Sequence, residues 1–280
     1  MRTMVHLSDL HFGRVDTALL EPLARTVRTL SPDVLVVSGD LTQRARTEEF
    51  KEAGAYLGTL PGRQVVVPGN HDVPLYNVFD RLLRPLAKFR RYIQPDLSPS
   101  HVDDEIAVLG VNTARSLVVK NGRINEVQAR TLRETFRRLP DAVVKVVVTH
   151  HPFDVSAEVD AGERVGRADM AMRVFAECGV DVLLAGHLHV SRAASTGRRY
   201  ALSGYEALVV SAGTATSTRG RGEANSFNAL RLRKGRIEID RYEWKDGDQD
   251  FAVTSREAFE RNAGRWTEAT SDESGMASNR

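Results

Sequence analysis

Five short polar clusters of this 280-residue chain each follow directly on an apolar run of strand character, and four of them hold six of its eight histidines. The clusters are Ser8-Asp9-Leu10-His11-Phe12-Gly13, Ser38-Gly39-Asp40-Leu41-Thr42, Pro68-Gly69-Asn70-His71-Asp72, Thr149-His150-His151-Pro152 and Gly186-His187-Leu188-His189. Imidazole, carboxylate and carboxamide oxygen are together the donors that borderline transition metals take. Two residues apart on an extended segment, Asp9 and His11 face one side and reach one cation, and His187 and His189 do the same. Asp40 has two carboxylate oxygens and suits a position shared by two cations, which a neutral imidazole cannot fill. Asn70 offers a neutral oxygen where a further anion would over-neutralise the metals, and His71, next in the chain, points elsewhere, toward a substrate.

Each cluster has an ordinary reading of its own: Asp9 as a helix cap, Gly39-Asp40 and Gly69-Asn70 as turn pairs, the remaining histidines as hydrogen-bonded structural residues. Five such coincidences at even odds leave a few percent, so the clusters together point to a metal site. His6, inside a strand pattern, and His101, in a polar segment, read as structural.

The elements that must position these residues follow from the spacing of apolar side chains. Segments Thr3–Leu7, Val34–Val37, Val65–Val67, Ile106–Val111, Val143–Val148 and Val180–Leu184 are β-branched or aliphatic and read as buried strands. Leu19–Leu30, Thr47–Leu60, Glu126–Leu139 and Ala168–Cys178 read as helices between them, which makes the fold class α/β. Strand ends of such a sheet are where ligands bind. Beyond Gly186 the pattern turns β-rich, with strands expected at Arg199–Leu202, Ala207–Ala212, Phe227–Arg233 and Ile237–Trp244, the last two joined as a hairpin through Lys234-Gly235. A single domain over 1–263 and a disordered tail over 264–280 complete the expected organisation.

Lys and Arg number 39 against 37 acidic residues, a net charge of +2, too balanced to announce a nucleic-acid or polybasic membrane binder. The single cysteine, Cys178, excludes an internal disulfide. No secretory signal and no apolar run of spanning length is visible, so a cytoplasmic protein is expected.

Asp-x-His, Gly-Asp, Gly-Asn-His, a His before Pro and Gly-His-x-His, in this order, resemble the calcineurin-like metallophosphoesterases, and the β-rich remainder is similar to the second half of that fold. The resemblance implies a four-layer α/β/β/α sandwich and two divalent or mixed-valence transition-metal ions, manganese or iron, with zinc, cobalt or nickel as alternatives. It places one ion on Asp9, His11, Asp40 and His189 and the other on Asp40, Asn70, His150 and His187. Within the superfamily, Ser-Asp-Leu-His-Phe-Gly, Gly-Asp-Leu-Thr, Pro-Gly-Asn-His-Asp and Gly-His-Leu-His look most like the bacterial class III cyclic-nucleotide phosphodiesterases, which implies a nucleotide phosphodiester as substrate. Two ions about 3.5–4 Å apart activate a water to hydroxide and stabilise both oxygens of an in-line displacement.

The expelled alkoxide needs a proton, and His71, held by Asp72, is the residue expected to supply it. Asn70, His71, His151 and Arg219 are the expected substrate contacts, His151 alternatively standing behind the metal ligands. Arg81, Arg84, Lys88 and Arg91 lie opposite Phe79, Leu82, Leu83, Leu86 and Phe89 on a helix-like segment that Pro85 would kink or restart, and their expected place is a solvated face. Phosphomonoesterase, nuclease and non-catalytic scaffold are the competing readings; near-neutral charge counts against the nuclease, and retention of every ligand counts against the scaffold.

Overall fold

The computed structural model describes residues 1–117, 120–155, 159, 161–200, 202, 204–218 and 222–269. Apolar runs form strands β1 (Arg2–Leu7), β2 (Val34–Val37) and β3 (Arg63–Val66), then β4 (Ser100–Val102), β5 (Ile106–Gly110), β6 (Val144–Val148) and β7 (Val182–Ala185). The β-rich remainder supplies β8 (Arg192–Ser195), β9 (Leu208–Ser211), β10 (Ser226–Arg233), β11 (Arg236–Lys245), β12 (Asp250–Asn262) and β13 (Arg265–Glu268). The helices are α1 (Leu20–Leu30), α2 (Thr47–Leu57), α3 (Val78–Leu83), α4 (Ala87–Tyr92), α5 (Glu126–Phe136) and α6 (Ala168–Cys178).

Two sheets result, a seven-stranded one in the order β13-β12-β11-β10-β1-β2-β3 and a six-stranded one in the order β4-β5-β6-β7-β9-β8. Alternation along the strands builds the layers, because successive side chains take opposite faces. Met4, Val34, Val36, Val65, Val144, Val146, Val182 and Leu184 meet between the sheets. Val5, Leu7, Leu35 and Val37 turn outward onto Leu23 and Val27 of α1 and Phe50 of α2. On the other side Ala107, Leu109, Val147 and Leu183 pack against Leu132 and Phe136 of α5 and Met172 and Phe175 of α6. Helix, sheet, sheet and helix thus make the expected four-layer α/β/β/α sandwich.

Three expectations are corrected. The described part of Arg199–Leu202 is not a strand: the backbone N–H groups of Arg199 and Tyr200 both return to Thr196 O, closing a short turn, and the edge strand is β8, antiparallel to β9. The chain stays in the sheet beyond 263, because β13 pairs with β12 (Arg261 opposite Trp266) and the Trp266 indole is buried beneath the Arg261 guanidinium. Residues 270–280 of the expected tail lie outside the described residues. Finally, Pro85 separates the 79–91 segment into two helices as expected, but the apolar side of α3, which an amphipathic pattern would bury, faces solvent: Phe79, Leu82 and Leu83 are 53–65% exposed.

Candidate metal centre

Strands β1, β2 and β3 stand side by side in one sheet, β6 and β7 side by side in the other, and the loops leaving their C-terminal ends converge. Asp9 and His11 follow β1, Asp40 follows β2, Asn70 and His71 follow β3, His150 follows β6, and His187 and His189 follow β7. Hydrogen bonds tie the two sheets together here: the His150 ring shares Nδ1 with Ser38 O at 2.7 Å, and the His187 backbone N–H donates to Asp9 Oδ2 at 3.1 Å.

These loops are not extended. Asp9, His11, Asp40, His187 and His189 all have positive φ, between 49° and 70°. Each such left-handed residue costs about 1–2 kcal/mol outside glycine, and strain of this kind concentrates where structure holds a functional geometry. The alternation expected for Asp-x-His and His-x-His therefore gives way to left-handed turns. His189 joins Asp9 and His11, whereas His187 joins His150 and His151, so the pair is divided between two groups. The loops also approach closely: a Cβ on Gly69 would lie 2.1 Å from Asp40 Oδ1, and one on Gly186 would lie 1.8 Å from Ser8 Oγ.

Asp40 sits between the groups. Its Oδ2 lies 3.8 Å from His11 Nε2 on one side and 3.3 Å from His150 Nε2 on the other, while Oδ1 accepts from the His71 backbone N–H at 2.8 Å. Asn70 Oδ1 is 3.1 Å from His150 Nε2, and His187 Nδ1 is 3.3 Å from the same atom. Asp9 Oδ1 lies 3.3 Å from His189 Nε2 and 3.5 Å from His11 Nε2. Asp9 Oδ1 and His189 Nδ1 are buried polar atoms with no hydrogen-bond partner among the described residues, an arrangement that normally has an explanation such as a bound ion.

Burial pushes the Asp9 carboxyl up, but His11, His189 and His150 hold it well below the usual carboxylate range. Asp40 is likewise lowered against its burial, by His150, His11 and His71. Burial pulls His150 down and is outweighed by Asp40 and then Asp9, which push it up to about 9. His187 goes the other way, to about 4, through burial and the charge of His150. Ionised carboxylates bracketed by imidazoles in a buried space fit two cations, whose charge would replace the protons that hold this cluster together.

His71 lines an open pocket with Asn70, its Nδ1 donating to Gln43 O at 2.9 Å. Asp72 does not hold it. Its carboxylate is buried and accepts from the backbone N–H groups of Gly69, Leu41 and Thr42 and from Thr42 Oγ1, clamping the loop after β3 to the loop after β2. Burial and then the charge of Asp40 push the Asp72 carboxyl up to about 6. His151 is fully buried behind the cluster, bound through Nδ1 to Thr113 Oγ1 at 2.8 Å, so it does not line the pocket as a substrate contact would. Arg219 lies outside the described residues.

A model of the calcineurin-like phosphoesterases matches residues 2–191 of the chain, a span that takes in every one of these loops. The chain belongs to the calcineurin-like phosphoesterase family. Over 94 residues the chain is 35% identical to the glycerophosphodiester phosphodiesterase GpdQ of Enterobacter lignolyticus, covering 30% of the chain and 33% of the relative. Over 76 residues it is 37% identical to the UDP-2,3-diacylglucosamine pyrophosphatase LpxG of Chlamydia muridarum, 26% of the chain and 23% of the relative. The chain thus matches a third or less of the length of these curated relatives. The purple acid phosphatase of yellow lupin (Lupinus luteus) seeds superposes with a TM-score of 0.71 at 12% identity, over 93% of this chain and 54% of that one, a likeness of fold.

Several parts of the candidate site carry no motif in the sequence. Thr214 Oγ1 donates to Asp9 O at 2.7 Å and Thr216 Oγ1 to Leu10 O at 2.9 Å, so the segment after β9 braces the loop that carries Asp9 and His11. Gln43 acts through its backbone carbonyl, which any residue supplies. Arg81 leaves the expected solvated face: its Nη1 donates to Pro74 O at 3.1 Å, and it lines the His71 pocket with Arg44, whose guanidinium lies 5.2 Å above the Tyr76 ring. Of these residues only Arg81 was hinted at, by the apolar-and-basic spacing of 79–91.

Proposed function

We propose that this phosphoesterase hydrolyses phosphodiesters at a binuclear metal centre, with Asp9, His11, Asp40 and His189 holding one ion and Asp40, Asn70, His150 and His187 the other. The observation that carries the reading is Asp40 Oδ2, placed between His11 Nε2 and His150 Nε2, where one carboxylate serves two ions. Bound there, the ions supply the charge that draws in an anionic diester and the acidity that turns water into a nucleophile.

The chain's own residues do the rest. Asp9 and Asp40, ionised and buried, fix where positive charge collects. Arg44 and Arg81 give the pocket beside His71 the sign that a phosphodiester needs. With Nδ1–H of His71 committed to the Gln43 carbonyl, Nε2–H of the imidazolium form is the donor we assign to the leaving oxygen, which it protonates as the P–O bond breaks, leaving the neutral ring. Transition-metal ions of the manganese and iron type suit this donor set. A cyclic nucleotide is one candidate substrate, for which the Tyr76 ring at the pocket offers a surface for stacking a base.

The test is metal analysis of the purified protein followed by parallel assays on a cyclic nucleotide, a linear diester such as bis(4-nitrophenyl) phosphate, a monoester and single-stranded DNA. The expected result is bound transition metal and preferential diester turnover. A monoester or DNA preference replaces the proposed substrate class, and a metal-free, inert protein ends the enzyme reading.

A further inference from the structure

Between Leu75 and Leu83 the chain exposes apolar side chains in a way that its other surface helices do not. Leu75, Tyr76, Val78, Phe79, Leu82 and Leu83 are 48–70% exposed. Phe79, Leu82 and Leu83 are spaced i, i+3, i+4, the stripe that a surface helix ordinarily turns to the core. In α1, α2, α5 and α6 that stripe is buried. A contiguous exposed patch of this kind marks a binding surface. It adjoins the catalytic pocket, because Leu75 and Tyr76 line that pocket together with Arg44, Asn70, His71 and Arg81.

Charge distinguishes the occupants. The segment 75–92 carries Arg81, Arg84, Lys88, Arg90 and Arg91 against Asp80 alone. A second copy docking this face on itself would bring two such cationic segments together, since a two-fold contact pairs the same patch with itself. An anion with an apolar tail meets both features at once: its phosphate faces Arg44, Arg81 and His71, and its chain lies on the neighbouring apolar helix.

We propose that the Phe79-Leu82-Leu83 stripe, continued by Leu75 and Tyr76, receives the alkyl chain of an amphiphilic phosphodiester, a single-tailed phospholipid in chemical class. This deepens the phosphodiesterase reading and rests on it. In the reaction water's oxygen bonds to phosphorus and gives up a proton to solvent, the P–O bond to the leaving group breaks, and the leaving oxygen takes a proton from His71, which solvent then returns to the ring.

The experiment compares 4-nitrophenyl methyl phosphate with 4-nitrophenyl decyl phosphate, below the micellar concentration, on metal-loaded wild type and on a Phe79→Ser, Leu82→Ser, Leu83→Ser variant. The expected kcat/KM ratio of decyl to methyl ester is tenfold or more in the wild type, and it falls toward one in the variant. A wild-type ratio near one overturns the proposal whether or not the variant folds, and so does a high ratio that the folded variant retains. Self-association in size-exclusion chromatography that the variant abolishes, with no chain-length preference, assigns the stripe to a second copy and overturns it equally. Calorimetric binding of decylphosphonate against methylphosphonate needs no turnover. Tenfold tighter binding of the decyl compound without cleavage of either ester upholds the stripe and removes the phosphodiesterase reading, whereas equal binding removes the stripe.

Discussion

His71 and Asp40 are joined by one hydrogen bond, from the His71 backbone N–H to Asp40 Oδ1, yet their side chains answer different chemical needs. The His71 ring is set by the Gln43 carbonyl and lines the pocket, so in the proposed reaction its loss removes the proton donor and leaves the proposed metal donors in place. His71→Ala is expected to lower kcat on a phosphodiester by roughly 10²–10⁴-fold with metal content unchanged by elemental analysis. The deficit should be smallest for a nitrophenyl leaving group, which needs little protonation. Equal turnover in wild type and variant would take His71 out of the reaction. Asp40→Ala removes a donor from both groups and is expected to deplete both ions; a fully metallated variant would contradict the shared position.

At the scale of elements, β1 and β2 run parallel, and their ends are tied by His6, whose Nε2 is 2.9 Å from Ser38 Oγ. Burial and, against it, the Asp9 charge leave His6 at about 3, down from an ordinary 6.5. The unfolded chain therefore takes up a proton below pH 6.5 that the folded chain refuses, so stability falls as pH drops from 6.5 toward 3. The slope from this one group is up to about 1.4 kcal/mol per pH unit. His6→Asn removes that term, and urea midpoints measured at pH 7 and pH 5 should differ less in the variant than in the wild type; an unchanged difference would refute it. Helix α3 shows the opposite economy. Leaving Phe79, Leu82 and Leu83 in water forgoes roughly 1.5–3 kcal/mol for each side chain that burial would have gained, which makes the exposed stripe a feature of function rather than of folding.

For the whole molecule, the candidate metal site is a weld between sheets. The residues proposed as its ligands come from three strand ends of one sheet and two of the other, and the protein contacts that join them there include His150 to Ser38 and His187 to Asp9. Ions bound to this cluster stabilise the folded state by mass action. Chelation is expected to lower Tm by on the order of 5–10 °C in a thermal-shift measurement, with recovery on adding back manganese. A Tm indifferent to both would mean that the cluster holds no ion. No helix among the described residues is long and apolar enough to cross a membrane.

The sequence by itself determined the α/β alternation and the five polar clusters, because strand and donor preferences are local and survive reading one segment at a time. It located Asp9, His11, Asp40, Asn70, His71, His150, His187 and His189 at strand ends for the same reason. What it misjudged depended on neighbours far along the chain. β12, rich in charge, is a strand because β11 and β13 pair with it, and Arg236–Glu260 joins it to β11 through an ion pair. His187 and His189 divide between two groups, as the family resemblance implied and against the same-side reading of their spacing, because each ends a left-handed turn against a different loop. His151 is buried because Thr113 and Gly122, some thirty to forty residues earlier, close over it. Only the packed structure decided which side of α3 meets water, since the same apolar stripe is a core face when a partner covers it and a binding face when none does.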